Sequence, residues 1–169
     1  MRLKLIVGIA ALAAAIAWTA AVVGISKRTL LRPAPQVSFV QLSGETFSTS
    51  DLRGKVVLVN FWGSYCTSCI KEMPHMVETH RKFAPRGFET VAVATRHDSA
   101  QRVRHFAASR ALPFKVALDS SGEVAKEFGN VRLTPTSFLI DREGRVLRRY
   151  VGEHDWAGLR RDVERELAR

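Results

Sequence analysis

Cysteine is scarce in this 169-residue chain: there are two, Cys66 and Cys69. Used as a staple, a bridge between them would close so small a loop that little chain entropy is removed. Used as metal ligands, they supply two donors and would have to borrow more, from His75 or His80, because no second Cys/His pair stands at ligand spacing. Acids are also few, 16 against 26 Lys and Arg, for a formal charge of +10. That excess does not form a basic stripe interleaved with aromatics, which argues against nucleic acid as a partner. Half of it sits in residues 1–32, where Arg2, Lys4, Lys27, Arg28 and Arg32 face no acid. Elsewhere cations and acids alternate, as in Arg160, Arg161, Asp162 and Glu164, Arg165, Glu166, the pattern of a solvated helix face, with attraction to anionic lipid as a second reading. No internal repeat is visible.

A long apolar run occurs once, at residues 5–25, and a helix of that length rises about 31 Å, enough for a bilayer core. The run exceeds the usual apolar region of a signal peptide, so an uncleaved anchor is favoured over cleavage after the small-residue pattern of Ala15 and Ala17. Cations on both sides leave the positive-inside rule nearly balanced. Residues 26–36, basic and holding Pro33 and Pro35, read as an extended tether. The expected organisation is an anchor over 1–25, a linker over 26–36 and one domain over 37–169.

Within the domain, residues 37–40 and 46–48 flank Ser43 and Gly44 as a short hairpin. Residues 55–61 are apolar and β-branched without Gly or Pro, the signature of a strand buried on both faces. Cys66, Cys69, Ile70, Met73 and Val77 then recur at steps of three and four, one face of a helix that starts at or just before Cys66 and ends near Phe83. Residues 88–94, 115–118 and 137–140 read as further strands. Ser99 caps a helix with Val103, Phe106 and Ala107 on one face, and a short helix follows Gly122 as far as Phe128. Residues 146–150 return antiparallel after the turn at 141–144, and a last helix near 155–167 buries Trp156, Leu159, Val163 and Leu167. Strands alternating with helices, then a hairpin and a helix, give an α/β sandwich with a mixed central sheet.

The two cysteines therefore stand where a central strand passes into a helix. Free N–H groups and the positive end of the helix dipole favour an anion there, which marks Cys66 as the acidic, exposed thiol. Cys69 lies one turn deeper and can close a disulfide with Cys66 or resolve a mixed one. Glu72 continues the face of Cys69; a carboxylate there can exchange a proton with a buried thiol, or can be an ordinary solvent-facing helical acid. Trp62 is either a wall of the site or a core residue. Met73 and Met76 fit core packing better than copper ligation.

The segment from Val59 through Trp62, Cys66 and Cys69 to Pro74 resembles the active-site motif of the thioredoxin superfamily, and specifically its membrane-tethered, extracytoplasmic TlpA- and ResA-like branch. Thr134, Pro135 and Thr136 look like that family's cis-proline segment, and the resemblance runs from about Val37 to the C-terminus. It implies a thioredoxin fold with an N-terminal hairpin extension and one N-terminal transmembrane helix. It implies Cys66 and Cys69 as a redox-active disulfide with no other cofactor or metal, and Glu72 as the active-site acid. It also implies Trp62, Thr134 and Pro135 at the substrate site, the Thr134 backbone pairing with a client strand. Asn60 stands where thioredoxin has a buried aspartate. Tyr65 and the Thr67-Ser68 pair depart from common choices, so no redox potential is carried over.

The function so implied is an extracytoplasmic, inner-membrane-anchored thiol:disulfide oxidoreductase that reduces protein disulfides, for instance in cytochrome c or respiratory copper-site assembly. A membrane electron donor re-reduces it. Disulfide oxidation or isomerisation is the enzymatic alternative; a Cu- or Zn-binding delivery module and a tethered adaptor are the alternatives of other classes.

Overall fold

A strand whose odd and even residues are both apolar needs cover on both faces. The computed structural model describes residues 31–169 and supplies that cover. Its elements are β1 (Ser38–Gln41), β2 (Thr46–Ser48), β3 (Val56–Trp62), α1 (Thr67–Phe83), β4 (Phe88–Ala94) and α2 (Ala100–Ser109). They continue with β5 (Lys115–Leu118), α3 (Glu123–Glu127), β6 (Thr136–Ile140), β7 (Val146–Val151) and α4 (Trp156–Leu167). The strands form one sheet in the order β2-β1-β5-β4-β3-β6-β7. β3, β4 and β5 are mutually parallel, while β6, β7, β1 and β2 add antiparallel, so the sheet is mixed as expected.

β3 lies between β4 and β6 and all seven of its residues are buried. Val56, Leu58 and Trp62 join Met73, Phe83, Leu159 and Val163 in one core. Val57, Val59 and Phe61 join Phe39, Val91, Phe128 and Phe138 in the other. Each such side chain contributes roughly 1.5–3 kcal/mol by leaving water. Asn60, on the Trp62 side of the strand, donates from Nδ2 to Ser137 Oγ at 2.8 Å on the neighbouring β6, which satisfies a polar group that is 3% exposed.

α1 carries Arg81 and Lys82 in its last turn, where cations meet the negative end of the dipole. It passes into a short 3-10 turn, Ala84–Arg86, and stops at Gly87, whose φ of 93° suits glycine. α4 opens on Asp155, whose side chain accepts the Gly158 N–H at 3.0 Å, and buries Trp156, Leu159, Val163 and Leu167, the four positions its spacing predicts.

The packed unit begins earlier than expected, at Pro33 rather than Val37. Pro33 bridges to Arg145, the Ala34 N–H donates to Gly144 O at 2.8 Å, and Ala34 is 2% exposed. Thr49 Oγ1 donates to Pro35 O at 2.9 Å. The prolines that suggested a free tether are an edge segment of the domain, because Pro needs no N–H partner in such a position. The apolar run at 5–25 and the tether up to residue 30 lie outside the described residues. Among the described residues no helix is long and apolar enough to cross a membrane.

Candidate active site

β3 delivers the chain to a tight turn at residues 63–66, closed by the Cys66 N–H donating to Gly63 O at 3.0 Å. A side chain at Gly63 would strike the Tyr65 ring at 2.6 Å, so glycine is what lets Tyr65 fold back over the turn. Tyr65 is held there by its hydroxyl, 3.1 Å from Thr95 Oγ1. Ser64 is tied through its N–H and its hydroxyl to Asp98, whose buried carboxylate also binds Arg102 Nε at 3.1 Å. The turn is thereby fastened to the loop after β4.

Cys66 is the N-cap of α1, with extended backbone (φ −88°, ψ 105°). Its sulfur takes the place of a capping oxygen and accepts the Cys69 N–H at 3.2 Å, with Ser68 Oγ at 3.4 Å. The same N–H and the helix dipole face a thiolate when the bond is open. Cys66 and Cys69 are joined, S–S 2.12 Å and Cα to Cα 5.2 Å. Cys66 is partly exposed and Cys69 is 3% exposed, the asymmetry that exchange requires: one sulfur to be reached from outside, one to attack from beneath.

The segment 68 residues downstream completes the rim. Thr134 O lies 3.6 Å from Cys66 Sγ, and the Thr134-Pro135 peptide is cis. Leu133, next to it, is 65% exposed and apolar. Trp62 is not part of this rim. It is fully buried, with its ring 5.1 Å from that of Phe106 and within the same core as Cys69 and Met73. The expectation that it contacts substrate is corrected: it shares the inward side of β3 with Val56 and Leu58, in the core that also holds Cys69.

Glu72 is 7% exposed and so is not a solvent-facing acid. Its carboxylate accepts the His154 backbone N–H, and both of its oxygens lie within reach of His154 Nδ1, at 3.0 and 2.9 Å. The His154 side chain is wholly buried between Tyr150 and Trp156, with ring centroids 5.5 and 5.2 Å away. Because a carboxylate only accepts, Nδ1 carries the proton in this pair, and Nε2 is buried without a hydrogen-bond partner among the described residues. His154, Asp98 and Thr95 escaped the sequence reading. A single histidine in a loop carries no local pattern, and the one usable signal was that a buried acid at position 72 demands a donor.

The two histidines nearest in sequence to the cysteines are not gathered around them. His75 is on the surface beside Glu78, and His80 is packed in the core against Thr90 and Phe114. Met73 and Met76 are each 2% exposed in the core. Among the described residues no group of three or more His, Cys, Asp or Glu is placed to hold a metal ion.

Residues 32–167 match the family model described as Redoxin. The chain is 40% identical over 128 residues to the thiol-disulfide oxidoreductase ResA of Bacillus thuringiensis subsp. konkukian, covering 75% of this chain and 72% of that one. To the ResA of Bacillus subtilis it is 36% identical over 132 residues, 75% and 73% of the two chains. Among solved structures it resembles a thiol:disulfide interchange protein of the thioredoxin family from Chlorobium tepidum, with TM-score 0.73, 32% identity, and 81% and 97% coverage. It also resembles StoA from Bacillus subtilis, with TM-score 0.65, 26% identity, and 76% and 96% coverage.

Proposed function

The chain belongs to the Redoxin family, as a thioredoxin-fold, ResA-like thiol:disulfide oxidoreductase, and on that premise we propose that it reduces disulfides of client proteins on the extracytoplasmic face of a membrane. The observation that carries the mechanism is the placing of Cys66 Sγ at the mouth of α1, partly open to solvent, over a buried Cys69.

In the reduced protein the Cys66 thiolate attacks one sulfur of a client disulfide. A Cys66–client bond forms, and the other client sulfur leaves as a thiolate that takes up a proton. The Cys69 thiol loses its proton and its sulfur attacks Cys66, which re-forms the bond seen here and releases the second client sulfur. Two electrons have passed to the client. The proton lost by Cys69 needs an acceptor in a water-poor place, and Glu72, one turn further along α1 and steadied by His154, is suited to that role. Thr134 and the cis bond to Pro135 present a backbone edge beside Cys66 against which an extended client segment aligns.

Regeneration needs a dithiol donor, and a membrane-held one is consistent with an anchor at residues 5–25, a linker to residue 32 and the domain from Pro33. The clients this reading favours are the cysteine pairs of cytochrome c apoproteins or of respiratory copper-site proteins. The deciding experiment measures reduction of insulin disulfides by the reduced protein together with its equilibrium against glutathione. Turnover with a reducing potential supports the proposal, whereas a strongly oxidising potential replaces it with disulfide oxidation.

A further inference from the structure

A cavity of about 380 Å³ is lined by Tyr65, which precedes Cys66 in the chain, and by Thr134, whose carbonyl lies 3.6 Å from Cys66 Sγ. Its acids are already committed. Both oxygens of Asp119 accept backbone N–H groups, from Val124 at 3.1 Å and Ala125 at 2.8 Å, and Glu123 pairs with Lys126 at 3.1 Å. Its two arginines, Arg96 and Arg132, are exposed and meet no acid among the described residues. The stem of Arg96 passes over Gly122, where an added Cβ would meet Arg96 Cδ at 3.0 Å.

We infer that this cavity is a specificity subsite in which Arg96 and Arg132 receive the carboxylate of an Asp or Glu flanking the client's cysteine. This rests on the reading of Cys66 as the attacking sulfur. Thr134 links the two places, because its carbonyl is beside Cys66 Sγ while its residue lines the cavity, so a client segment laid along it reaches both. An arginine fork takes a carboxylate through two parallel hydrogen bonds. Lysine-flanked clients meet like charge and are disfavoured.

The test uses the reduced full-length protein and three peptides that share one disulfide and differ by Asp, Asn or Lys beside one cysteine. The uncharged bis(2-hydroxyethyl) disulfide serves as a reference substrate. The Asp peptide is expected to be reduced about fivefold to tenfold faster than the Asn peptide at low salt, a preference that shrinks at high ionic strength. In R96E/R132E the order reverses toward Lys, in R96Q/R132Q it flattens, and in both variants the uncharged disulfide reacts at the wild-type rate. Equal rates for the three peptides with wild type, or an Asp preference that survives in R96E/R132E, would overturn the subsite alone. Failure of wild type to reduce even the uncharged disulfide would overturn the exchange reading and the subsite with it.

Discussion

Glu72 and His154, 82 residues apart, form a buried pair in which one carboxylate receives both the backbone and the ring N–H of the histidine. The acid that stands one turn beyond Cys69 is thus positioned by the loop ahead of α4, and its nearest partner is fully enclosed.

Replacing Glu72 by Gln removes the proton acceptor but keeps the shape. Release of a mixed disulfide is expected to slow by about 100-fold or more with a changed pH profile, as for loss of a general base. Attack by Cys66 should change little. Stopped-flow single turnovers as a function of pH report both steps, and equal release rates in E72Q would remove Glu72 from the mechanism. His154→Ala leaves the carboxylate short of donors and is expected to cost about 1–3 kcal/mol of stability as well, read from denaturant unfolding.

Cys66→Ser should abolish disulfide reduction, because of the two cysteine sulfurs the partly exposed one is gone. Cys69→Ser should retain attack and stall as a covalent Cys66–client adduct, visible on a non-reducing gel and lost on adding dithiothreitol. An adduct through residue 69 in C66S would reverse the assigned order.

His80 provides a pH signature. Burial chiefly pushes its pKa below the ordinary 6.5, against the opposing pull of Glu89 and of a hydrogen bond that the ring donates to the Pro113 carbonyl. The folded protein therefore favours the neutral ring, and the unfolded chain takes up a proton first as pH falls. Stability from this group is complete above about pH 6.5 and declines as pH drops toward the lowered folded value. The midpoint of thermal unfolding is expected to fall more steeply between about pH 7 and pH 5 in wild type than in His80→Gln. Parallel curves for the two proteins would show that His80 does not titrate on unfolding.

Asp162 ties α4 to β7. Burial raises its pKa, but hydrogen bonds from Tyr150 at 2.9 Å, Arg165 at 2.6 Å and Arg148 at 3.0 Å outweigh that and hold it below the usual carboxylate range. Its stability is present above the ordinary value of 3.8 and is lost as pH falls through the lowered one. Because both arginines are largely exposed, Asp162→Asn is expected to cost only about 1–2 kcal/mol at pH 7, and the difference should shrink as pH falls below 3.8, measured by urea unfolding.

The residue order by itself determined the strand before the cysteines, the helix that begins at them and the inward faces of α1 and α4. These are carried by local spacing of apolar residues, and local spacing is what a strand or helix converts into a face. The nearness of Cys66 and Cys69 followed from one helical turn. Even the burial of Trp62 was written in its alternation with Val56 and Leu58, although an aromatic before a reactive pair invites a role at the surface.

Only the tertiary structure decided what each polar group meets. Thr134 reaches Cys66 because β6 lies beside β3 in antiparallel register, and Glu72 meets His154 because the loop after β7 passes over α1. Asp98 holds Ser64, and Pro33 joins the sheet edge, for similar reasons. Such contacts depend on strand order and on the docking of distant segments, which leave no period in the chain: a buried acid announces that it needs a donor, and the fold alone chooses which one.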